Sequence, residues 1–272
     1  MITFPNAKIN LGLRVLRKRP DGFHDIETIF YPIGLTDALE IVPSDDGKFS
    51  FALSGMALPD GGGDNLCVRA FRMMQQRYDL PEVKIFLHKV IPAGAGLGGG
   101  SSDAAFTLKL TRRLFGLKVS DDELKGMAAA LGSDCPFFIE NIPSFASGRG
   151  EVMQELPLTL KGKHLLLVKP DVAISTPWAY GAITPSGEPL PAVNLLFAGS
   201  ASWNQLLKND FEAVVMEKCP VVKEIRDKMT EAGAFYAAMS GSGSSVFGLF
   251  DEKPALGRHD FEGMFVWQEV LQ

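Results

Sequence analysis

The sequence predicts a mixed α and β protein of roughly two domains, or one large one, and three observations lead there. The chain has 272 residues, against about 150 per domain in ordinary globular proteins. Its first half alternates between strand-type and helix-type spacing of apolar residues. Past about Leu156 the pattern restarts, and helix pairs with returning strands suggest a smaller α+β domain.

In order, Ala7 to Val15, Ala38 to Val42 and Phe49 to Leu53 read as strands, being rich in β-branched or aromatic residues between turn signals. Asn65 to Tyr78 has helical spacing, with Leu66, Ala70, Phe71 and Met74 on one face. Val83 to Ile91 alternates through Val83, Ile85 and Leu87 and runs into Pro92. Ser101 to Phe115 follows as a helix, with Ser and Asp in its first turn and Gly116 as its stop. Asp121 to Leu131 is a second helix, acidic at its start and ended by Gly132. Lys163 to Lys169 reads as a buried strand. Pro177 to Ala198 is connector with one short helix. Trp203 to Lys218 and Val221 to Ala232 are amphipathic helices, separated because Pro220 cannot continue the first. Ala234 to Met239 and Ser245 to Phe250 form a strand pair around a glycine cluster.

Composition excludes several classes. Hydrophobic residues make up 46% and charged residues 22%, which is globular and argues against disorder. The formal net charge of −5 comes without a basic block, so neither nucleic acid nor an anionic membrane is an expected partner. Cys67, Cys135 and Cys219 are odd in number and far apart, and His24, His88, His164 and His259 show no zinc spacing. The N-terminal residues lack the charged region and apolar core expected of a secretory leader, and no run of about 18 apolar residues occurs in the sequence. A soluble, cytoplasmic protein is the expectation.

Glycine is the unusual residue, 28 of the 272, and it clusters at Gly94 to Gly100, at Gly148 and Gly150, and at Gly241 and Gly243. Dense glycine lets backbone approach a partner closely. The densest run, Pro92-Ala93-Gly94-Ala95-Gly96-Leu97-Gly98-Gly99-Gly100-Ser101-Ser102-Asp103, lies between a strand and a helix. Inward-turned amides and a helix N-terminus make a phosphate cradle there. Ser101 and Ser102 can donate to phosphate, ligate a cation or cap the helix. Gly94, Gly96 and Gly99 satisfy G-x-G-x-x-G, but a dinucleotide fold wants an acid closing a strand about 20 residues later, where Val119 to Glu123 opens a helix. A Walker loop needs Lys at position 100, which is Gly.

The run instead resembles the second motif of the GHMP small-molecule kinases, Pro-x-x-Ala-Gly-Leu-Gly-Ser/Gly-Ser-Ser. Two further segments match in order: Asn6-Ala7-Lys8-Ile9-Asn10-Leu11 with Arg19-Pro20-Asp21-Gly22-Phe23-His24, and Ser240-Gly241-Ser242-Gly243-Ser244-Ser245. Gly132-Ser133-Asp134-Cys135-Pro136 and Asn209-Asp210-Phe211-Glu212 extend the likeness from Lys8 to Phe250. The resemblance implies a two-domain GHMP kinase architecture, α+β, with domains at 1–156 and 157–272 and the active site in the cleft between them.

It also implies an ATP-dependent kinase with Mg2+ as the nucleotide's counter-ion, acting on a small cytidyl diphosphate compound. Pro92 to Ser102 would grip the triphosphate, with Asn65 and Leu66 at the adenine. Asp134, which alone reads as a turn or capping residue, becomes the acceptor of the alcohol proton. Lys8, on a strand where a solvent-facing lysine is the common case, is paired with it and keeps it ionised. Asn10 shares the Lys8 face and would touch the substrate. Phe23, where the family usually has Tyr, would stack on the pyrimidine, His24 would read its polar edge, and Tyr180 is the second stacking aromatic or a core residue. Gly241, Ser242 and Gly243 would close over the nucleotide's phosphates or the substrate's diphosphate. The resemblance gives Gly148 to Glu151 no role and names neither a metal ligand nor an oligomeric state. Three alternatives stand: a GHMP kinase for homoserine, mevalonate or a sugar; a non-catalytic GHMP-fold sensor; and a nicotinamide oxidoreductase.

Overall fold

The computed structural model describes residues 1–57, 64–191 and 202–272. They form two compact units. One comprises Met1–Ala7, Leu35–Ala93 and Gly98–Ile142; the other comprises Lys8–Gly34, Gly94–Leu97 and Pro143–Gln272.

The first unit is built on a four-stranded sheet of order β1-β4-β6-β5, from β1 (Ile2–Thr3), β4 (Ala38–Pro43), β6 (Val83–Lys89) and β5 (Ser50–Gly55). β6 pairs antiparallel with β4 and parallel with β5. Its alternation behaves as the sequence predicts, with Val83, Ile85, Leu87 and Lys89 buried and Phe86 and His88 exposed. The inner face packs on α1 (Leu66–Tyr78) and α2 (Gly99–Leu114), where Leu39, Ile41, Cys67, Phe71 and Leu110 close the core. Two short helices complete the unit, α3 (Asp121–Leu131) and α4 (Phe137–Glu140). α3 starts at a reciprocal cap: the Ser120 hydroxyl accepts from Glu123 N, and the Glu123 carboxylate accepts from Ser120 N, each at 3.2 Å.

α2 begins two residues earlier than predicted. Gly98, at φ 70°, is its N-cap, so Asp103 lies beyond the first turn and points into the unit. Gly116 ends the segment at φ 61°, as expected.

The second unit holds two sheets. One has order β2-β3-β7-β8, from β2 (Asn6–Lys18), β3 (His24–Thr36), β7 (Ser144–Ser147) and β8 (Val152–Glu155). The other is antiparallel, of order β10-β11-β9-β12, from β10 (Tyr236–Met239), β11 (Val246–Phe250), β9 (His164–Lys169) and β12 (Phe265–Val270). Helices α5 (Thr176–Ala182), α7 (Phe211–Lys218) and α8 (Pro220–Glu231) pack on it through Ala179, Phe211, Val215, Val222, Ile225 and Met229. α5 supplies the one short helix of the predicted connector; residues 192–198 of that connector lie outside the described residues. Among the described residues no helix is long and apolar enough to cross a membrane.

The helix expected over Trp203 to Lys218 is broken into α6 (Trp203–Leu206) and α7. Between them the chain runs alongside β2: Leu13 N donates to Lys208 O at 3.0 Å and Asp210 N to Leu13 O at 2.8 Å. The Asp210 carboxylate accepts from Val15 N at 2.9 Å, from Arg14 Nη1 at 2.8 Å and from the Ser186 hydroxyl at 2.9 Å. Asn209 donates to Met239 O and Gly241 O, both at 2.8 Å. Asn and Asp compete with helical backbone for hydrogen bonds, so tertiary pairing wins here. Asp210→Ala leaves Arg14 in a nearly closed site without its main partner, and we expect urea unfolding to show a loss of about 3 kcal/mol. A loss below about 1 kcal/mol would class the pair with exposed ion pairs and remove it as the cause of the break.

Candidate active site

The first unit gathers three of the expected segments around the start of α2. Gly98 carries no side chain to cap the helix, and the first amides of α2, like those of any helix, have no intrahelical acceptor and remain available as donors. Ser102, one turn in, is fully buried and its hydroxyl has no hydrogen-bond partner. Asn65 caps α1 by accepting from Cys67 N at 2.9 Å, and Leu66 Cδ1 lies 3.8 Å from where a Cβ on Gly100 would stand. The starts of α1 and α2 are therefore neighbours. The turn carrying Asp134 is the third segment. It joins α3 to α4 and is closed by Cys135 N donating to Gly132 O at 3.1 Å. A Cβ on Gly132 would stand 3.2 Å from Cys135 Sγ and 4.0 Å from Ser101 Oγ, so this turn abuts the first turn of α2. Burial pushes the Cys135 thiol up to about 11, so it stays protonated.

In the second unit, the remaining part of the glycine run, Gly94 to Leu97, interlocks with the segment from Ser240 to Ser245. Gly96 adopts φ 76°, and a Cβ there would stand 1.9 Å from Ser240 O. Ser245 N donates to Ala95 O at 3.3 Å, the Ser240 hydroxyl donates to Gly96 O at 2.9 Å, and Gly241 packs on the Gly96 backbone. Beside this contact sits Lys8. Its side chain is buried, with the residue 3% exposed, contrary to the usual solvent-facing lysine. The ammonium donates to Asn10 Oδ1 at 2.6 Å and to Gly96 O at 3.1 Å, and lies 5.0 Å from the centre of the Phe30 ring. Asn10 is committed at both ends of its amide, since Nδ2 donates to Thr28 Oγ1 at 2.9 Å. These bonds tie the Lys8 ammonium to Thr28 through the Asn10 amide.

The expected base-binding residues Phe23, His24 and Tyr180 also lie in the second unit. A tight turn holds Phe23, with Arg19 N donating to Phe23 O at 2.8 Å and Phe23 N to Asp21 Oδ1 at 3.1 Å. Phe23 is 52% exposed. His24 and Tyr180 stack with centroids 4.9 Å apart and planes at 25°, and Tyr180 meets Phe211 edge-on at 4.9 Å. Burial, helped by the Lys18 charge, lowers the His24 pKa below its ordinary value and favours the neutral ring at pH 7. Ser242 bonds the Thr176 hydroxyl at 3.0 Å.

Two features escape a reading of the sequence. Arg149, in the Gly148 to Glu151 segment that had no role, lies 4.9 Å over the Phe23 ring, and Glu151 accepts from its backbone N at 2.6 Å. The signal was a third glycine cluster, which only the fold brings to Phe23. The other feature is a buried ion cluster of Lys89, Asp37 and Asp103 in the first unit. Its trace in the sequence is a lysine in phase with Val83, Ile85 and Leu87.

The glycines differ in what they tolerate. Gly94 also has positive φ, 59°, but nothing lies within 4 Å of a Cβ there. Gly94→Ala is expected to cost about 1 kcal/mol, the strain of the left-handed region. Gly96→Ala adds a backbone clash and should cost about 3 kcal/mol or more. Equal losses in urea titrations would contradict the close approach of Gly96 to Ser240.

Comparison with known proteins agrees with this geometry. The model for the GHMP kinases N terminal domain matches residues 65–141, and that for GHMP kinases C terminal matches 194–258. A 4-diphosphocytidyl-2-C-methyl-D-erythritol kinase of Parabacteroides distasonis is 50% identical over 273 residues, covering 100% of both chains. A crystal structure of a 4-(cytidine 5'-diphospho)-2C-methyl-D-erythritol kinase superposes with TM-score 0.80 at 32% identity, covering 98% of each chain. The Methanococcus jannaschii mevalonate kinase, at TM-score 0.73 and 14% identity, covering 100% of this chain and 98% of its own, shares the fold. The chain belongs to the 4-diphosphocytidyl-2-C-methyl-D-erythritol kinase family of the GHMP kinases.

Proposed function

We propose that this protein transfers the γ-phosphoryl group of ATP to the 2-hydroxyl of 4-diphosphocytidyl-2-C-methyl-D-erythritol, a step of the non-mevalonate route to isoprenoid precursors. The observation that carries the reading is the glycine run with an uncapped helix start and an unpartnered Ser102 hydroxyl at α2, in a chain that matches such kinases along its whole length. Homoserine, mevalonate and sugar kinases are not favoured: the mevalonate kinase likeness, at 14% identity, extends to fold alone.

The phosphates of ATP fit the cradle. The uncapped amides from Gly99 onward, the Ser102 hydroxyl and the backbone of Pro92 to Gly98 supply donors and close approach, and Asn65 and Leu66 flank the adenine end. Mg2+, the expected counter-ion, would find in the Ser101 and Ser102 hydroxyls oxygens of the kind it takes, and when bound it neutralises phosphate charge. The alcohol oxygen forms a bond to the γ-phosphorus as the bond to the β,γ-bridging oxygen breaks and ADP leaves. Asp134 takes the alcohol proton. Lys8, aimed by Asn10, offers its positive charge to the attacking and transferring oxygens. A loose transition state needs alignment more than strong basicity, so late proton transfer suffices.

The aromatic residues select the acceptor. Half-exposed Phe23 would stack on the pyrimidine, the stacked pair of Tyr180 and neutral His24 would bound the base, and Gly241 to Gly243 would bind the diphosphate. Mevalonate and homoserine offer no base to stack.

Asp134→Asn should lower turnover about 10²–10⁴-fold, the usual worth of a positioned acid or base, while calorimetry shows ATP binding retained. Near-normal turnover would remove Asp134 from the mechanism. Phe23→Ala should raise KM for the cytidyl substrate about tenfold through lost stacking and leave KM for ATP alone. An enzyme that phosphorylates mevalonate or homoserine in a mixed assay, but not the cytidyl compound, would overturn the assignment.

A further inference from the structure

We propose that Asp37, Lys89 and Asp103 form a buried clamp that sets the distance between the two ends of the glycine run, with Lys89 and Asp103 acting as positioning residues for ATP. The inference rests on the glycine run being the triphosphate cradle. All three residues are nearly closed to solvent, Lys89 and Asp103 at 3% and Asp37 at 1% exposed.

Three of the four carboxylate oxygens of the cluster do identifiable work. Asp37, in the turn entering β4, accepts through Oδ1 from Val90 N at 2.5 Å and from Ile91 N at 2.8 Å, the last amides before Pro92. Its Oδ2 accepts from the Lys89 ammonium. That ammonium also donates to Asp103 Oδ2 at 2.7 Å, and Asp103 sits on the second turn of α2. One carboxylate thus holds the strand end that enters the run, and the lysine reaches from that strand to the helix leaving it. Between them passes Gly99, where a Cβ would stand 2.9 Å from Ile91 Cγ2 and 3.3 Å from Lys89 Nζ. The absence of a side chain at Gly99 lets the two ends of the run close on the clamp.

The cluster is poorly suited to a purely stabilising role. Two carboxylates share one ammonium, so a fully ionised cluster buries a net charge of −1. Asp103 Oδ1 has no hydrogen-bond partner. Burial, with Asp37 nearby, pushes Asp103 up to about 7 despite the attraction of Lys89. Burial also opposes the charge on Lys89, but the carboxylates of Asp103 and Asp37 outweigh it and hold its pKa above the ordinary value. Apolar side chains in place of such a group are often neutral or stabilising. A fixed spacing between β6 and α2 is what the ionic arrangement adds.

Asp103 separates these roles. Asp103→Leu cuts the Lys89–Asp103 ion pair that ties Lys89 to α2 and leaves a neutral Lys89–Asp37 pair, so the fold should survive. Asp103→Asn keeps a carbonyl oxygen for the ammonium. We expect Asp103→Leu to melt within a few degrees of wild type, to raise KM and Kd for ATP about tenfold, and to leave KM for the cytidyl substrate within about twofold. Asp103→Asn should restore ATP affinity to within about threefold of wild type. The proposal is overturned if Asp103→Leu binds ATP as wild type does, if both KM values rise together, if Tm collapses alongside ATP affinity in both variants, or if the Asn variant is as impaired as the Leu variant. Wild-type protein that binds no ATP overturns the cradle reading and the clamp with it. Wild-type binding matched by equal binding in Asp103→Leu overturns the clamp alone.

Discussion

A buried ammonium must be surrounded by oxygen, and two lysines that meet this demand organise the protein. Lys8 and Lys89 are each 3% exposed and each stands on a strand at the edge of a glycine segment. An unpaired charge at such a depth would cost several kcal/mol, so the chain must bring acceptors to it. Lys8 gathers Asn10 and the carbonyl of Gly96; Lys89 gathers Asp37 and Asp103. In both cases at least one oxygen comes from a residue remote in sequence, Gly96 for Lys8 and Asp37 for Lys89, and satisfying the charge fixes backbone that also bounds the glycine run.

The second constraint is close approach of backbone to backbone. In the second unit the Gly96 segment meets the Ser240 to Ser245 segment with no room for a side chain between them. Glycine here serves two purposes. It permits positive φ, and it lets main-chain amides stand where a side chain would otherwise shield them. A phosphate group asks for donors that hold their positions without reorganising, and packed backbone supplies them more rigidly than long side chains do.

Much of this was legible in the chain. Strand alternation in β6, the apolar face of α1 and the capping of α3 follow from local chemistry, because each is decided by residues within a turn or two of one another. Motif order was equally legible, since dense glycine before a Ser-Ser pair has few other uses. The break between α6 and α7 was not. Its Asn209-Asp210 pair gave a weak local hint, but β2 decided the matter by offering backbone partners from almost two hundred residues away. β3 was hidden too, because much of its length is buried on both faces and lacks the alternation that marks a half-exposed strand.

The sequence by itself determined the mixed fold class, the place of the glycine run between a strand and a helix, and the residue types along that run and at Lys8, Asp134 and the aromatic positions. These depend on residue type and short-range spacing. Tertiary structure decided that Lys8 is held by Asn10, that Arg149 covers Phe23, and that Lys89 is an ion-cluster centre rather than a surface charge. The physical reason is common to all three. The worth of a charge or an aromatic face depends on what desolvates it and what partners it, and those neighbours are assembled only by folding.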